Sequence, residues 1–329
     1  MKLYYKNDEV LPLQNTKPKS AFLGLVQWTC MLIAGTLAYG SYTIFVHLCE
    51  VDGRIPFSSA SSTLMIETSK LVTSLVLYLQ QTSCKPISIP KFTLWLPFSI
   101  PAILYAINNN MAIHMQLHMD PTSYQVLSNM KIGVTAVLYR IIIGRRLSKI
   151  QWFALGILTI AGLFDSFGGY SSQSRSVTEI HITLTGLIMM ISYCSISGFA
   201  GVYSEYILKR HIKMSLHLQN MLLYIFGVCV NGIIWFIHEL SNPEIEDRFS
   251  LFRGYTGLTV VIILSQALNG LIMSSIMKYA SNITRLFIIS CSTLITAVLS
   301  VLVFGTTLNM YFVMSAVLVC VAIYIFYMK

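Results

Sequence analysis

Long apolar segments recur along the whole 329-residue chain, and each is about as long as the roughly 20 residues that a helix needs to cross a bilayer. Alternation of apolar and polar residues, which is typical of membrane β-barrel strands, is not sustained anywhere. The pattern therefore predicts an all-α integral membrane protein with ten transmembrane helices. The predicted helices cover residues 22–48, 57–81, 94–117, 121–144, 149–167, 180–207, 216–238, 255–277, 284–304 and 308–328.

The basic residues predict the orientation of these helices. With an even number of helices and a cytosolic N-terminus, fifteen Lys and Arg residues fall in cytosolic segments and only four on the opposite side. This asymmetry follows the positive-inside rule. The net charge of +9 therefore indicates topology rather than nucleic-acid binding, and both termini are expected in the cytosol.

Short segments of the two halves match when the sequence is shifted by 161 residues. Residues 135–138 and 296–299 are both Thr-Ala-Val-Leu, and Gly144 coincides with Gly305. Because each half holds five predicted helices, the second half must be inserted upside down relative to the first. Inverted repeats place a substrate site near the membrane midplane and permit alternating access. The predicted organisation is a cytosolic tail (1–20), a first five-helix repeat (21–167), a lumenal loop (168–180) and a second five-helix repeat (181–329).

Lys131 lies about ten residues, or roughly 15 Å, into the fourth predicted helix, close to the membrane midplane. A charge at that depth costs about 2.5–3.5 kcal/mol, so a site that meets an anion is the first hypothesis. Tyr124 and Thr135 share one stripe of the helix with Lys131, which suits a base or ribose beside a phosphate. The alternative is an ion pair between Lys131 and either Glu205 or Glu67.

Two acidic residues lie within predicted helices beside a basic one. Glu67 and Lys70 are three residues apart and share a helical face, so they either neutralise each other or shape a substrate cavity. Glu205 follows a run of small residues and could pair with Lys209 one turn later. A structural role is the preferred interpretation of Glu205.

Three consecutive amides lie in the third predicted helix, after Tyr105. No single helix face can bury Asn108, Asn109 and Asn110 together. They either form hydrogen bonds between helices or bind a polar ligand. Ligand binding is the preferred hypothesis for Asn109 and Asn110.

The second half adds further candidates. Asn220 and Tyr224 are four residues apart and could face a cavity together. Lys278 and Arg285 flank the connection between the eighth and ninth predicted helices. They are either solvated charges of the positive-inside pattern or part of a cationic site together with Lys131.

No nucleophile elbow, phosphate-binding loop or metal-ligand cluster is found in the sequence. Neither an enzyme, an ATP-driven pump nor a cofactor is therefore predicted. His114 and His118 have a spacing suited to metal binding, but they lack a third ligand and are interpreted as interfacial residues.

Five motifs carry a resemblance to a known family: YAINNNMA (105–112), YQVLSNMKIGVTAVL (124–138), LSKIQW (147–152), SGFAGVYSEYILKR (197–210) and MKYASNITRLF (277–287). They resemble the nucleotide-sugar transporters of the drug/metabolite transporter superfamily, in the branch of the CMP-sialic acid, UDP-galactose and UDP-N-acetylglucosamine carriers. Three further segments, CEVDGRIPF (49–57), MDPTSYQVLSNMKIG (119–133) and SQALNGLIMS (265–274), look like the fourth, less understood member of that subfamily.

The resemblance implies a Golgi antiporter. Such carriers bring a pyrimidine nucleotide-linked sugar (UDP-, CMP- or CDP-linked) into the lumen and return the nucleoside monophosphate, and they could assemble with copies of themselves or with related carriers. It implies that Lys131 and Lys278 meet phosphates. Residues expected around the nucleotide are Tyr105, Asn109, Asn110, Tyr124, Thr135, Asn220 and Tyr224. Candidates for phosphate contact or gating are Arg285, Glu67, Lys70 and Glu205.

Two departures from the pattern of the CMP-sialic acid carriers bear on specificity. Phe226 stands where those carriers have a serine, and Asn269-Gly270 replaces a glycine pair. Specificity for CMP-sialic acid is therefore not implied. The alternative function is a non-transporting membrane scaffold that keeps the carrier fold and organises other secretory-pathway transporters or glycosyltransferases.

Overall fold

The computed structural model describes residues 18–50, 55–82, 91–115, 121–172, 184–241, 249–305 and 310–328. All regular structure within these ranges is helical, as predicted. His118, residues 173–180 of the predicted lumenal loop and nearly all of the N-terminal tail lie outside the described residues, whereas residues 168–172 of that loop continue the fifth predicted helix. The helices are α1 (Pro18–Leu48), α2 (Ser59–Gln81), α3 (Phe92–Met115), α4 (Pro121–Ser128), α5 (Met130–Ile142), α6 (Lys149–Ser172), α7 (Leu184–Arg210), α8 (Leu216–Ser241), α9 (Gly257–Tyr279), α10 (Asn282–Phe304) and α11 (Met310–Tyr327).

Six of these helices are long and apolar enough to cross a membrane by their length and composition. They are α1 from Val26 onward and the five helices from α7 to α11. This confirms the prediction of a helical membrane protein. The count of ten transmembrane helices stays a prediction.

The fourth predicted helix differs from its expected form, because it is two helices that meet at Asn129. The backbone N–H of Asn129 donates to the Val126 carbonyl at 3.3 Å, and the N–H of Ile132 donates to the Asn129 carbonyl at 3.1 Å. Both bonds span three residues instead of four, so the chain winds more tightly between α4 and α5 than in a regular α-helix.

The described residues form two compact units. The first unit comprises residues 107–206 and 280–329, with α4, α5, α6, α10, α11 and most of α7. Its core lies where α6 packs along α11 and where α5 and α10 adjoin them. Ala161 and Ala322 are fully buried there. Their small side chains let the helices approach closely, and the Ser315 hydroxyl donates to the Ala161 carbonyl at 2.9 Å.

The second unit comprises residues 17–106 and 207–279, with α1, α2, α8, α9 and the first part of α3. In this unit α2 packs along α8, and α1 packs along α9. The turn before α9 lies against the start of α2. Gly254 adopts a positive φ of 71° there, and a Cβ at this position would collide with the Pro56 carbonyl, so only glycine fits.

Helix boundaries in the two halves show the 161-residue spacing seen in the sequence. Helix α4 begins at Pro121 and α10 begins 161 residues later, at Asn282. Helix α6 begins at Lys149 and α11 begins 161 residues later, at Met310. Gly144 and Gly305, which are related by the same spacing, both follow a helix with positive φ, at 76° and 66°. The two five-helix repeats stay a prediction, and this common spacing supports it.

Gly201 on α7 offers a test of the packing of the first unit. A Cβ there would lie 2.7 Å from the Asn282 Nδ2 atom at the start of α10. We expect Gly201→Val to lower the free energy of unfolding by about 1–3 kcal/mol, because the buried amide has no room to move. Thermal unfolding in detergent measures this. Gly133→Val on α5 is the control, because a Cβ at Gly133 would meet nothing within 4 Å; equal losses in both variants would contradict the packing.

Candidate functional site

Lys131 lies on α5 just after the interruption at Asn129, and the neighbouring predicted residues contact α7. The Tyr124 hydroxyl lies 3.5 Å from the Tyr193 hydroxyl. Thr135 is buried, and its Oγ1 atom would lie 3.1 Å from a Cβ at Gly198. Tyr124, Lys131 and Thr135 therefore lie along the side of α4 and α5 that packs against α7.

The surroundings of Lys131 are mostly apolar. Tyr193 and Cys194 are buried in a hydrophobic cluster with Leu127 and Val134, which lie one turn on either side of Lys131. The Lys131 ammonium is close enough to the Tyr193 hydroxyl and the Cys194 thiol to act on both electrostatically. Among the described residues of the first unit, no carboxylate forms an ion pair with Lys131. An anionic ligand would therefore find an uncompensated cation at this position.

The structure places Asn108, rather than Asn109, in the interior. Asn108 is 7% exposed and hydrogen-bonds to the Tyr193 hydroxyl, whereas Asn109 is exposed and Asn110 is half-buried. The expectation that one helix face cannot bury all three amides is confirmed. The Asn108 Oδ1 atom is buried and has no hydrogen-bond partner in the described part of the chain, so it can accept a hydrogen bond from a ligand.

Tyr193 was missed by the sequence analysis. It is 9% exposed and links Tyr124 to Asn108 beside Lys131. The signal was the one aromatic hydroxyl in the apolar run 187–194, on the helix face that continues to Gly201 two turns later.

The second unit holds an ion pair of its own. Glu67 and Lys70 on α2 are hydrogen-bonded to each other, as their spacing predicts, with side chains only 18% and 13% exposed. The Lys70 ammonium lies 4.8 Å from the centre of the Tyr224 ring on α8. Tyr224 is buried and lies within electrostatic range of both Glu67 and Tyr105.

Two glycines make room for this ion pair. A Cβ at Gly227 on α8 would lie 2.7 Å from a Glu67 carboxylate oxygen, and one at Gly270 on α9 would lie 2.7 Å from the Lys70 Cδ atom. The pair therefore lies in a slot between α8 and α9. Asn269, beside Gly270, is buried, and its Oδ1 atom has no hydrogen-bond partner within the described ranges.

Asn220 and Lys278 are also buried in the second unit. The Asn220 Oδ1 atom accepts a hydrogen bond from Ser274, and its Nδ2 atom is without a partner among the residues that the structure describes. Lys278 is 2% exposed, and its ammonium donates to the Met214 carbonyl at 2.6 Å. This burial excludes the solvated position considered for Lys278.

Glu205 has a structural environment. It is fully buried, and its Oε2 atom accepts the backbone N–H of Asn282 at 2.6 Å, where α10 begins. The Tyr139 hydroxyl is hydrogen-bonded to Glu205 and to Arg145, and an Arg285 N–H donates to the Asn282 Oδ1 atom at 3.5 Å. A carboxylate at a helix N-terminus is stabilised by the helix dipole. The structural interpretation of Glu205 is thus supported, and Glu205 is not the ion-pair partner of Lys131.

Residues 26–327 match a family model described as "Nucleotide-sugar transporter". Among similar proteins are those named "Probable UDP-sugar transporter protein SLC35A4" in Xenopus tropicalis (42% identical, covering 95% of this chain and 96% of that one), Danio rerio (41%, covering 92% and 94%) and Homo sapiens (40%, covering 92% and 94%). A crystal structure of a protein 10% identical to this chain superposes with a TM-score of 0.67 over 91% of this chain and 96% of the other, which shows a shared fold alone.

The Glu67–Lys70 pair gives a test of local charge compensation. We expect Glu67→Gln to lower the free energy of unfolding by about 3 kcal/mol, because it leaves the Lys70 ammonium largely buried without a counter-ion. The double variant Glu67→Gln/Lys70→Met removes both charges and should recover most of that loss. Thermal unfolding in detergent compares the two, and a double variant less stable than the single one would contradict compensation.

Proposed function

Because this chain belongs to the nucleotide-sugar transporter family, we propose that it is a secondary antiporter that carries a pyrimidine nucleotide-linked sugar from the cytosol into the Golgi lumen and returns the nucleoside monophosphate. The family is one of transporters, not enzymes. UDP-linked cargo is favoured over CMP- or CDP-linked cargo, since the similar proteins are named probable UDP-sugar transporters.

The observation that carries the proposal is the position of Lys131. Its ammonium lies among apolar side chains, with a tyrosine hydroxyl and a thiol as its polar neighbours. A nucleotide sugar and a nucleoside monophosphate each carry about two negative charges near neutral pH. Either cargo would therefore supply the counter-charge that the described residues of this unit do not, and we assign its phosphate to Lys131.

A buried amide of the first unit supplies a group that could contact the rest of the nucleotide. The Oδ1 atom of Asn108 is an acceptor without a partner within the described residues. A buried amide oxygen is normally satisfied, which supports a contact with a ligand group such as a ribose hydroxyl or a base edge. The other predicted contacts stay predictions: Tyr105, Asn109, Asn110, Tyr124, Thr135, Asn220, Tyr224 and Lys278.

The proposed mechanism is alternating access between two inverted five-helix repeats. The 161-residue spacing of helix starts and of the two positive-φ glycines supports it. The excess of basic residues on one side supports cytosolic termini. Golgi placement follows from the resemblance to Golgi carriers.

Strict exchange follows from the same lysine. An empty carrier has to reorient with a half-buried cation that lacks a counter-ion, and this state is costly. A carrier loaded with either anion avoids that cost. The loaded carrier should therefore reorient much faster than the empty carrier. Import of the nucleotide sugar is then coupled to export of the nucleoside monophosphate.

The identity of the cargo is tested in liposomes that contain the purified protein. We expect uptake of a UDP-linked sugar only when UMP is present inside, because the outward step needs a loaded carrier. A panel of UDP-, CMP-, CDP- and GDP-linked sugars against internal UMP, CMP and GMP measures this. A flat panel, with no nucleotide that raises the melting temperature, would contradict transport and favour the scaffold function.

Coupling is tested by removing the charge. We expect Lys131→Ala to lower the ratio of UMP exchange to uncoupled UMP efflux at least tenfold, because the empty carrier then reorients without an uncompensated cation. Release of labelled UMP with and without external substrate measures both rates. Lys213→Ala in the exposed turn before α8 is the control. If the two variants gave the same ratio, Lys131 would have no part in coupling.

A further inference from the structure

The interruption between α4 and α5 lies two residues before Lys131. Asn129 itself has helical backbone angles (φ −66°, ψ −18°), so the interruption is a change of winding rather than a loop. The hydrogen bonds that enclose it span three residues, from Asn129 to Val126 and from Ile132 to Asn129. Lys131 therefore follows directly on a segment with tight winding.

Three residues, which we call the Asn129 clasp, hold this winding in place: Asn129, Gly162 and Ser166. The Asn129 Nδ2 atom donates to the Ser166 hydroxyl at 3.2 Å, and that hydroxyl donates to the Gly162 carbonyl at 2.8 Å. The Asn129 amide lies directly over Gly162. A Cβ at Gly162 would lie 2.7 Å from the Asn129 Cγ atom. The clasp thus fixes α4 and α5 against α6 at one point.

The winding decides which way the next side chains point. Each residue turns about 120° in a 3₁₀ helix and about 100° in an α-helix, so each tightly wound residue rotates everything after it by roughly 20°. In the observed arrangement Lys131 lies beside Tyr193 and Cys194, and Thr135 lies against Gly198. A regular helix from Pro121 onward would lack this added rotation, so the Lys131 side chain would point in a different direction.

We propose that Asn129 is a positioning residue for Lys131, and that its clasp on Ser166 and Gly162 directs the ammonium toward the substrate phosphate. This inference rests on the proposed function, since it assumes that Lys131 binds a phosphate. Asn129 itself needs no contact with the substrate. Its effect should therefore appear in phosphate recognition and not in recognition of the nucleoside.

The test compares the binding of UMP and of uridine, which differ only in the phosphate, to the purified full-length protein by calorimetry or thermal shift. We expect Asn129→Ala and Ser166→Ala to reduce the preference for UMP over uridine about tenfold, with uridine binding little changed. Ser166→Thr keeps the hydroxyl and should keep the preference. Ser315→Ala is the matched control, because it removes a hydrogen bond to the neighbouring Ala161 carbonyl on α6.

The outcomes separate the inference from the function on which it rests. A preference for UMP that depends on Lys131 but is unchanged in Asn129→Ala and Ser166→Ala would overturn the positioning role. So would an equal loss of UMP and uridine binding, which indicates general damage. A wild-type protein that binds UMP no better than uridine, or a Lys131→Ala variant that keeps the preference, would overturn the proposed function itself. If Asn129→Ala does not fold, the Ser166→Ala and Ser166→Thr pair decides.

Discussion

The proposed transport depends on the Lys131 ammonium, which is half-buried and has no ion-pair partner among the described residues of its unit. Lys70, by contrast, bonds to Glu67 on its own helix, and Glu205 accepts from the N-terminus of α10. Lys278 donates to a backbone carbonyl. Lys131 lies among apolar side chains with a tyrosine hydroxyl and a thiol nearby, and no carboxylate of the described residues in its unit pairs with it. An unpaired charge within the membrane raises the free energy of the protein. Binding of an anionic ligand would remove this cost, and release of the ligand would restore it.

The helices around Lys131 are irregular where side chains of α6 hold them. A lysine on a regular helix points wherever the helix phase directs it, including toward lipid. Here the Asn129 amide is fixed on α6, and the tight winding sets the phase of α5. Close packing of Thr135 against Gly198 holds the next turn. Function and packing are thus linked, because the residues that seat α5 also decide what its lysine can reach.

Local patterns were predictable from the sequence, and contacts between helices were not. Helix positions follow from apolar length, and the Glu67–Lys70 pair follows from a spacing of three residues. The interruption at Asn129 depends on Gly162 and Ser166, which belong to another helix. The choice of Asn108 over Asn109 depends on the rotational phase of α3, which contains prolines at positions 97 and 101 that disturb a regular count of turns. The burial of Lys278 depends on a carbonyl that only the folded connection before α8 supplies.

Chemical replacement of the charge at position 131 tests the central claim most directly. Lys131→Cys should abolish exchange in liposomes, and treatment with an aminoethyl methanethiosulfonate, which rebuilds a cationic side chain close to lysine in length, should restore a substantial part of it. A neutral methyl methanethiosulfonate should restore none, and wild-type protein treated in the same way controls for the native cysteines, which are free throughout the described residues. Exchange that persists in Lys131→Cys, or that the neutral reagent restores equally well, would contradict a requirement for positive charge at this position.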